Sequence, residues 1–200
     1  LDGDIKVLKS KENKYEAKSV ILATGANPRE LGVPGEKEFT GKGVAYCATC
    51  DGPFYTDLEV YVVGGGDAAI EEAIFLTKFA RKVNVLYRGD RLRAAKSIQD
   101  KAFANDKIEV FYNTEVKEIY GDMAVNKMRL FNNKTEEEYF VETSQGDSDF
   151  GVFIFIGYLP NTGLFEGMIN LDRGYVVTDE DMATNIEGVY AVGDMRKKRT

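Results

Sequence analysis

The stretch Glu59-Val60-Tyr61-Val62-Val63-Gly64-Gly65-Gly66-Asp67-Ala68-Ala69-Ile70-Glu71-Glu72-Ala73 decides the fold of this chain. Glu59 and the four β-prone residues Val60 to Val63 run into three glycines, and a helical pattern opens behind them. Ile70, Ala73, Ile74 and Thr77 recur at helical spacing, so the pattern predicts a helix from Asp67 to about Ala80 with one face against a sheet. A second apolar strand, Val83 to Tyr87, follows and completes a βαβ unit. In that context Gly64 to Ala69 fits the Gly-x-Gly-x-x-Gly/Ala turn of a dinucleotide-binding fold. Gly64 serves the tight turn, Gly66 lets a pyrophosphate reach the helix N-terminus, and Ala69 lets helix and strand pack closely. Asp67 and Ala68 lie on the same turn.

Just beyond the second strand the chain reads Tyr87-Arg88-Gly89-Asp90-Arg91-Leu92-Arg93. A ribose-binding acid at this place favours NAD, whereas arginines favour the 2′-phosphate of NADP. Arg88, Arg91 and Arg93 together speak for a phosphate, with Arg88 and Arg93 as the candidate partners, because guanidinium forks match phosphate oxygens. Arg91 to Asn105 reads as a further helix, basic at its start. Ile108 to Tyr112, Glu115 to Tyr120, Val125 to Phe131 and Glu137 to Glu142 read as a run of short strands covering one sheet face. Val152 to Ile156 is apolar throughout, as a strand buried on both faces should be. At the other end, Tyr15 to Leu22 predicts a strand leading into small residues, and Gly174 to Thr178 and Gly188 to Val192 predict two more. Asn27 to Gly43 is rich in Pro and Gly and marks a crossing between domains, as does Gly157 to Asn161.

With 44% apolar residues, the 200-residue chain can bury a substantial core. Its net charge of -7 argues against nucleic acid or an anionic membrane surface as partner. No apolar run approaches the ~20 residues of a membrane span, and Leu1-Asp2-Gly3-Asp4 does not resemble a signal sequence, so a cytoplasmic protein is expected. The absence of an initiator Met and the abrupt end at Thr200 suggest a piece of a longer protein. The chain's two cysteines stand together in Tyr46-Cys47-Ala48-Thr49-Cys50-Asp51-Gly52-Pro53. In a reducing compartment such a pair is redox-active or metal-binding. With no third cysteine and no histidine a zinc site is excluded, and no metal is expected. Cys47 and Cys50 are therefore candidate redox residues, placed where a helix begins. Asp51 behind them can protonate a leaving thiolate.

Ala23-Thr24-Gly25, the Cys47 to Gly52 stretch, Gly64 to Ala69 with Glu71-Glu72-Ala73, Ile156-Gly157 with Pro160-Asn161, and Gly193-Asp194 occur together in one order. In this combination, from about Val20 to Asp194, the chain closely resembles the low-molecular-weight thioredoxin reductase family of flavoprotein disulfide reductases. The resemblance implies an α/β fold in which a Rossmann-like NAD(P)H-binding domain, a parallel sheet plus a β-meander at residues 27–156, is inserted in a partial FAD-binding domain at 1–26 and 157–200. It implies electron flow from NADPH to FAD, to the Cys47–Cys50 disulfide, and on to thioredoxin or a thioredoxin-like protein. By the same resemblance Cys50 faces the flavin, Cys47 attacks thioredoxin, and Asp51 is the acid. Ala23, Thr24 and Gly25, Ile156 and Gly157, and Gly193, Asp194 and Met195 are then cofactor-binding. The intact protein is expected to be a homodimer.

Two departures from the family pattern bear on function. The family's His-Arg-Arg motif is replaced by Tyr87-Arg88-Gly89, which removes one phosphate partner and leaves NADH, ferredoxin or another carrier open as the donor. The N-terminal glycine-rich flavin loop is absent from this stretch, so the 200 residues alone are expected to hold FAD poorly and to be weak or inactive. The other readings are a peroxidase-reducing flavoprotein subunit, whose cysteines are usually separated by Pro-His, and a non-catalytic nucleotide-binding redox sensor.

Overall fold

The computed structural model describes residues 3–144 and 146–197. The chain divides into two compact units, Leu1–Pro28 with Tyr158–Thr200, and Arg29–Gly157. In chain order the first part of the split unit holds strands β1 (Lys6–Lys9), β2 (Lys14–Ala17), β3 (Val20–Leu22) and β4 (Ala26–Pro28). The continuous unit then supplies β5 (Val44–Ala45), the one-turn helix α1 (Ala48–Asp51), β6 (Glu59–Val63), helix α2 (Asp67–Leu76), β7 (Lys82–Tyr87), helix α3 (Lys96–Phe103), β8 (Ile108–Tyr112), β9 (Thr114–Gly121), β10 (Val125–Asn132), β11 (Glu137–Glu142) and β12 (Gly151–Ile154). The chain returns to the split unit with β13 (Tyr158–Pro160), β14 (Leu171–Asp172), β15 (Tyr175–Val176) and β16 (Val189–Ala191).

The continuous unit is built on a five-stranded sheet in the order β5-β12-β6-β7-β8, with every pairing parallel. Period-two alternation sends the two halves of each strand to opposite faces. Val60, Val62, Val83, Val85 and Phe153 meet α2 through Ala69, Ile70, Ala73 and Leu76. Tyr61, Val63, Leu86, Val152 and Ile154 meet Val116, Ile119, Val125, Met128 and Leu130 of the antiparallel β9-β10-β11 sheet. A parallel sheet covered on both faces needs apolar residues at nearly every position, and β12 shows it.

Several elements differ from the sequence expectation. β8 does not join the meander; it is an edge strand of the parallel sheet beside β7, because α3 provides the crossover that a parallel neighbour requires. Helix α3 begins at Lys96 rather than Arg91. The preceding segment is docked on the glycine turn instead: the Arg93 and Ala94 N–H groups donate to the Gly65 carbonyl at 2.7 and 3.2 Å, and the Ala95 N–H donates to Asp67 Oδ1 at 2.7 Å. Helix α2 stops at Leu76, where the Thr77 hydroxyl donates to the Ile74 carbonyl and Lys107 Nζ donates to the carbonyls of Thr77 and Ala80. A lysine gathering the last carbonyls is an ordinary way to end a helix. β12 ends at Ile154, although the Phe155 N–H still donates to the Val63 carbonyl. The single strand expected from Tyr15 to Leu22 is two, β2 and β3.

Among the described residues the split unit has four two-stranded pairings, β1-β2, β13-β4, β14-β15 and the parallel β16-β3. Its core consists of Val20, Leu22, Ile169, Val176, Val189, Ala191 and Met195. None of the described helices is long and apolar enough to cross a membrane.

Candidate functional site

The continuous unit carries two features with chemistry. The first is the glycine turn between β6 and α2. Gly64 has φ +146°, and a Cβ there would lie 2.4 Å from the Phe155 carbonyl oxygen and 2.7 Å from Ala69 Cβ. Only glycine fits a turn so close to its neighbours. Gly66 caps α2 in extended geometry, and a Cβ on it would meet nothing within 4 Å, so its face is open in front of the helix N-terminus. That opening is the cradle a phosphate needs: free space, backbone N–H groups and a helix dipole. Ala69 is fully buried under the turn, as close packing demands. Ala68 is exposed, and Asp67 is occupied in holding Ala95.

Next to the turn lies a cleft of about 340 Å³, lined by Gly64, Gly65, Tyr87, Arg88, Arg93 and Ile156 among others. Arg88 and Arg93, 5 positions apart in sequence, are thus brought to one cavity with the glycines. Tyr87 lies against both neighbouring glycines: a Cβ on Gly65 would come within 2.4 Å of its ring and one on Gly89 within 2.7 Å. The Gly89 that departs from the family pattern therefore makes room for this tyrosine. Gly157 is exposed at the end of the unit, with φ +109°, and its carbonyl accepts the Arg29 N–H at 2.9 Å.

Sequence reasoning missed three charged residues of this cleft: Arg29, Glu115 and Lys117. Glu115 and Lys117 sit two apart on β9, so strand alternation puts them on one face, and that spacing is the signal that was readable. Glu115 is held below the usual carboxylate range, first by the Asn133 amide at 3.0 Å and then by Lys117 at 2.7 Å. Asn133 also donates to the Arg88 carbonyl at 2.9 Å, which ties the arginine loop to the meander.

The second feature is the disulfide. Cys47 and Cys50 are bonded, with their Cα atoms 5.3 Å apart. Cys47 caps α1: the Cys50 N–H donates to its sulfur at 3.2 Å, and Thr49 Oγ1 lies 3.3 Å from the same sulfur. Cys50 is exposed and Cys47 half-buried. Ala48 is buried in the cluster that contains α2, so the turn is anchored from beneath. Asp51 is half-buried on the last position of α1. The nearby Tyr55 phenol is pushed up to about 12, mainly by burial and then by the charges of Asp149 and Asp51. Ahead of the disulfide, Glu36 is buried and unforeseen. Its carboxylate accepts the N–H groups of Leu31 and Gly32 at 2.8 and 2.7 Å and the Tyr46 hydroxyl at 2.7 Å. It fastens the breaker-rich segment to the residue beside Cys47, and burial with Glu36 pushes the Tyr46 phenol well above its ordinary value.

In the split unit, β3 and β16 run parallel as neighbours, and their carboxyl ends lead into Ala23-Thr24-Gly25 and Gly193-Asp194-Met195. The Thr24 hydroxyl donates to the Asn161 carbonyl at 2.6 Å, and Met195 Sδ accepts the Thr24 N–H at 3.4 Å. Gly25 and Gly193, at φ +68° and +75°, each face open space. Ligands of open α/β sheets gather outside the carboxyl ends of such strands. A cavity of about 730 Å³ touches this region at Ala26 and Asp194.

A family model described as pyridine nucleotide-disulphide oxidoreductase matches residues 2–200. The chain is 56% identical over 201 residues to a thioredoxin reductase of Peptoclostridium acidaminophilum, covering 99% of this chain and 63% of that protein. It is 44% identical to a thioredoxin reductase of Bacillus subtilis, over 99% of this chain and 62% of the relative. The crystal structure of Lactococcus lactis thioredoxin reductase in its FR conformation superposes with a TM-score of 0.86 at 39% identity, over all of this chain and 64% of that one. The chain thus spans less than two thirds of the length of the relatives it matches.

Proposed function

The chain belongs to the pyridine nucleotide-disulphide oxidoreductase family, and from that premise we propose that it is the nicotinamide- and disulfide-bearing part of a thioredoxin reductase. The observation that carries this reading is the closed Cys47–Cys50 disulfide on the same unit as a glycine turn with a basic cleft. Bound FAD supplies the chemistry of taking a hydride from a nicotinamide and passing two electrons to a disulfide. Ala23, Thr24, Gly25, Gly193, Asp194 and Met195 would hold the flavin in the split unit. Gly64, Gly66, Asp67, Ala68, Ala69 and Ile156 would seat the dinucleotide, Gly66 by leaving its pyrophosphate room, with Gly157 at the crossing to the flavin-holding unit. Arg88 and Arg93 would meet the 2′-phosphate of NADPH. Asp51 would deliver a proton to the departing thiolate, and Cys47 would exchange with the disulfide of thioredoxin. A single close cysteine pair suits the reducing cytoplasm. The resemblance supports a homodimer, for which sedimentation of the intact protein is the check.

The test uses the intact protein that contains this chain, supplied with FAD. Cys50→Ser is expected to lower thioredoxin reduction by more than about a thousandfold, as loss of an obligatory covalent relay does. Preserved turnover would support a redox sensor instead. Titration calorimetry with NADPH and NADH tests the donor: Arg88→Ala and Arg93→Ala are each expected to weaken NADPH about tenfold and to leave NADH nearly unchanged. Tighter binding of NADH by the unaltered protein sinks the 2′-phosphate assignment.

A further inference from the structure

The disulfide is asymmetric in a way that the pairing of two identical residues does not require. Cys47 Sγ has two polar neighbours, the Cys50 N–H at 3.2 Å and Thr49 Oγ1 at 3.3 Å. A sulfur in a disulfide carries no proton, so the Thr49 hydroxyl is the donor. No hydrogen bond to Cys50 Sγ is formed among the described residues. Thr49 is exposed at the second position of α1, where a threonine brings no helix propensity and caps nothing else. Its hydroxyl is turned back onto the sulfur.

We propose that Thr49 is a catalytic residue, whose hydroxyl holds Cys47 as the attacking thiolate once the disulfide is reduced. The proposal rests on the reductase reading and deepens it. Two electrons, supplied by the reduced flavin of the intact enzyme, break the Cys47–Cys50 bond; one proton is taken up, leaving one thiolate and one thiol. A hydrogen bond to an ionised acceptor is about twice as strong as one to a neutral acceptor, so the sulfur with two donors keeps the charge. The Cys47 thiolate then forms a bond to one sulfur of the substrate disulfide and expels the other. By way of Asp51 the Cys50 proton passes to that expelled thiolate, and Cys50 then attacks Cys47 and releases the substrate's second sulfur. The original disulfide is restored and the substrate has gained both electrons. Helix α1 is a single turn, too short for a large dipole. The Cys50 N–H and the Thr49 hydroxyl are therefore the local donors, and only the hydroxyl belongs to a side chain.

The experiment reads the titration of Cys47 directly. In the intact protein carrying Cys50→Ala, which leaves Cys47 as the sole thiol of this segment, the rate of iodoacetamide alkylation of the Cys47 peptide is followed by mass spectrometry from pH 5 to 10. Thr49→Val, of nearly the same shape, is expected to raise the midpoint by about one pH unit. Thr49→Ser should restore it to within a few tenths. A midpoint unmoved or lowered by Thr49→Val, or moved as far by Thr49→Ser, overturns the proposal. The readout needs neither thioredoxin nor nicotinamide: a raised midpoint supports the role of Thr49 even if thioredoxin is not the substrate, and failure of thioredoxin reduction by the unaltered protein removes only the reductase reading.

Discussion

The two units bury their apolar residues very differently. The continuous unit covers both faces of a five-stranded parallel sheet, one with α2 and the other with the β9-β10-β11 sheet. The split unit is made of two-stranded pairings around seven buried residues. It nevertheless holds ten of the fourteen large apolar side chains left exposed among the described residues, including Ile21 at 68% in the middle of β3. A strand with Val20 and Leu22 buried and Ile21 bare has one face packed and one face open. Within this stretch the packed core is therefore concentrated in the unit that carries the glycine turn and the disulfide, and the proposed flavin residues sit on the unit with the smaller core.

Hydrogen exchange on the whole chain is the most direct way to break that contrast. Amides of β6, β7 and β12 are expected to exchange at least about a thousandfold more slowly than those of β1, β2, β14 and β15, because local opening free energies run from near zero to the global value. Equal protection in the two units would refute it. Two truncations sharpen the same point. Leu76→Ala, at a side chain with no exposure, should cost about 2–5 kcal/mol by leaving a cavity under the sheet. Ile21→Ala should cost less than about 0.5 kcal/mol, as for other surface substitutions. Urea unfolding of both variants measures the difference; a comparable loss at Ile21 would mean that its face is covered.

The contrast also explains what could be read from the sequence. The continuous unit was legible where local signals and tertiary packing agree: a strand, three glycines and a helical stripe need only each other. The cysteine stretch was legible for the same reason, since its pairing closes within one turn. β8 was misplaced because alternation alone does not say which sheet an edge strand joins; that depends on α3 as a crossover. The start of α3 was misread because the docking of Arg93, Ala94 and Ala95 on Gly65 and Asp67 is a contact across more than 25 positions. Arg29, Glu115 and Lys117 were invisible as a group for a similar reason, as only the folded chain brings them to one cleft. Glu36 was not singled out within the breaker-rich 27–43 segment, although it organises that loop from inside.

A smaller effect tests how complete the stronger core is. Asn84 lies in the middle of β7 at 2% exposure, and its Oδ1 has no hydrogen-bond partner among the described residues. It shares a face with Leu86, toward the meander. A buried amide oxygen without a partner costs desolvation that nothing repays, and leucine has nearly the same shape. Asn84→Leu is expected to stabilise the chain by about 1 kcal/mol in urea unfolding. Destabilisation of that size would show that the amide is satisfied in solution.

The smallest effect concerns Glu115, which links the meander to the cleft. Its folded carboxyl is held below the ordinary glutamate range, first by Asn133 and then by Lys117, with Arg88 adding to the same direction. A carboxyl lowered on folding adds stability that is fully present above its unfolded pKa and is lost as the pH falls through the folded value. Both partners of the Glu115–Lys117 pair are about one-third exposed, so solvent screening limits the gain to a few tenths of a kcal/mol. Glu115→Gln keeps an acceptor for Asn133 and removes only the charge. It should therefore be slightly less stable than the unaltered chain near pH 7, with the difference vanishing on acidification below the glutamate range. Urea midpoints measured at neutral and acid pH give the comparison. A difference that persists in acid would assign the role of Glu115 to packing, and the tie between the meander and the arginine loop would then rest on Asn133 alone.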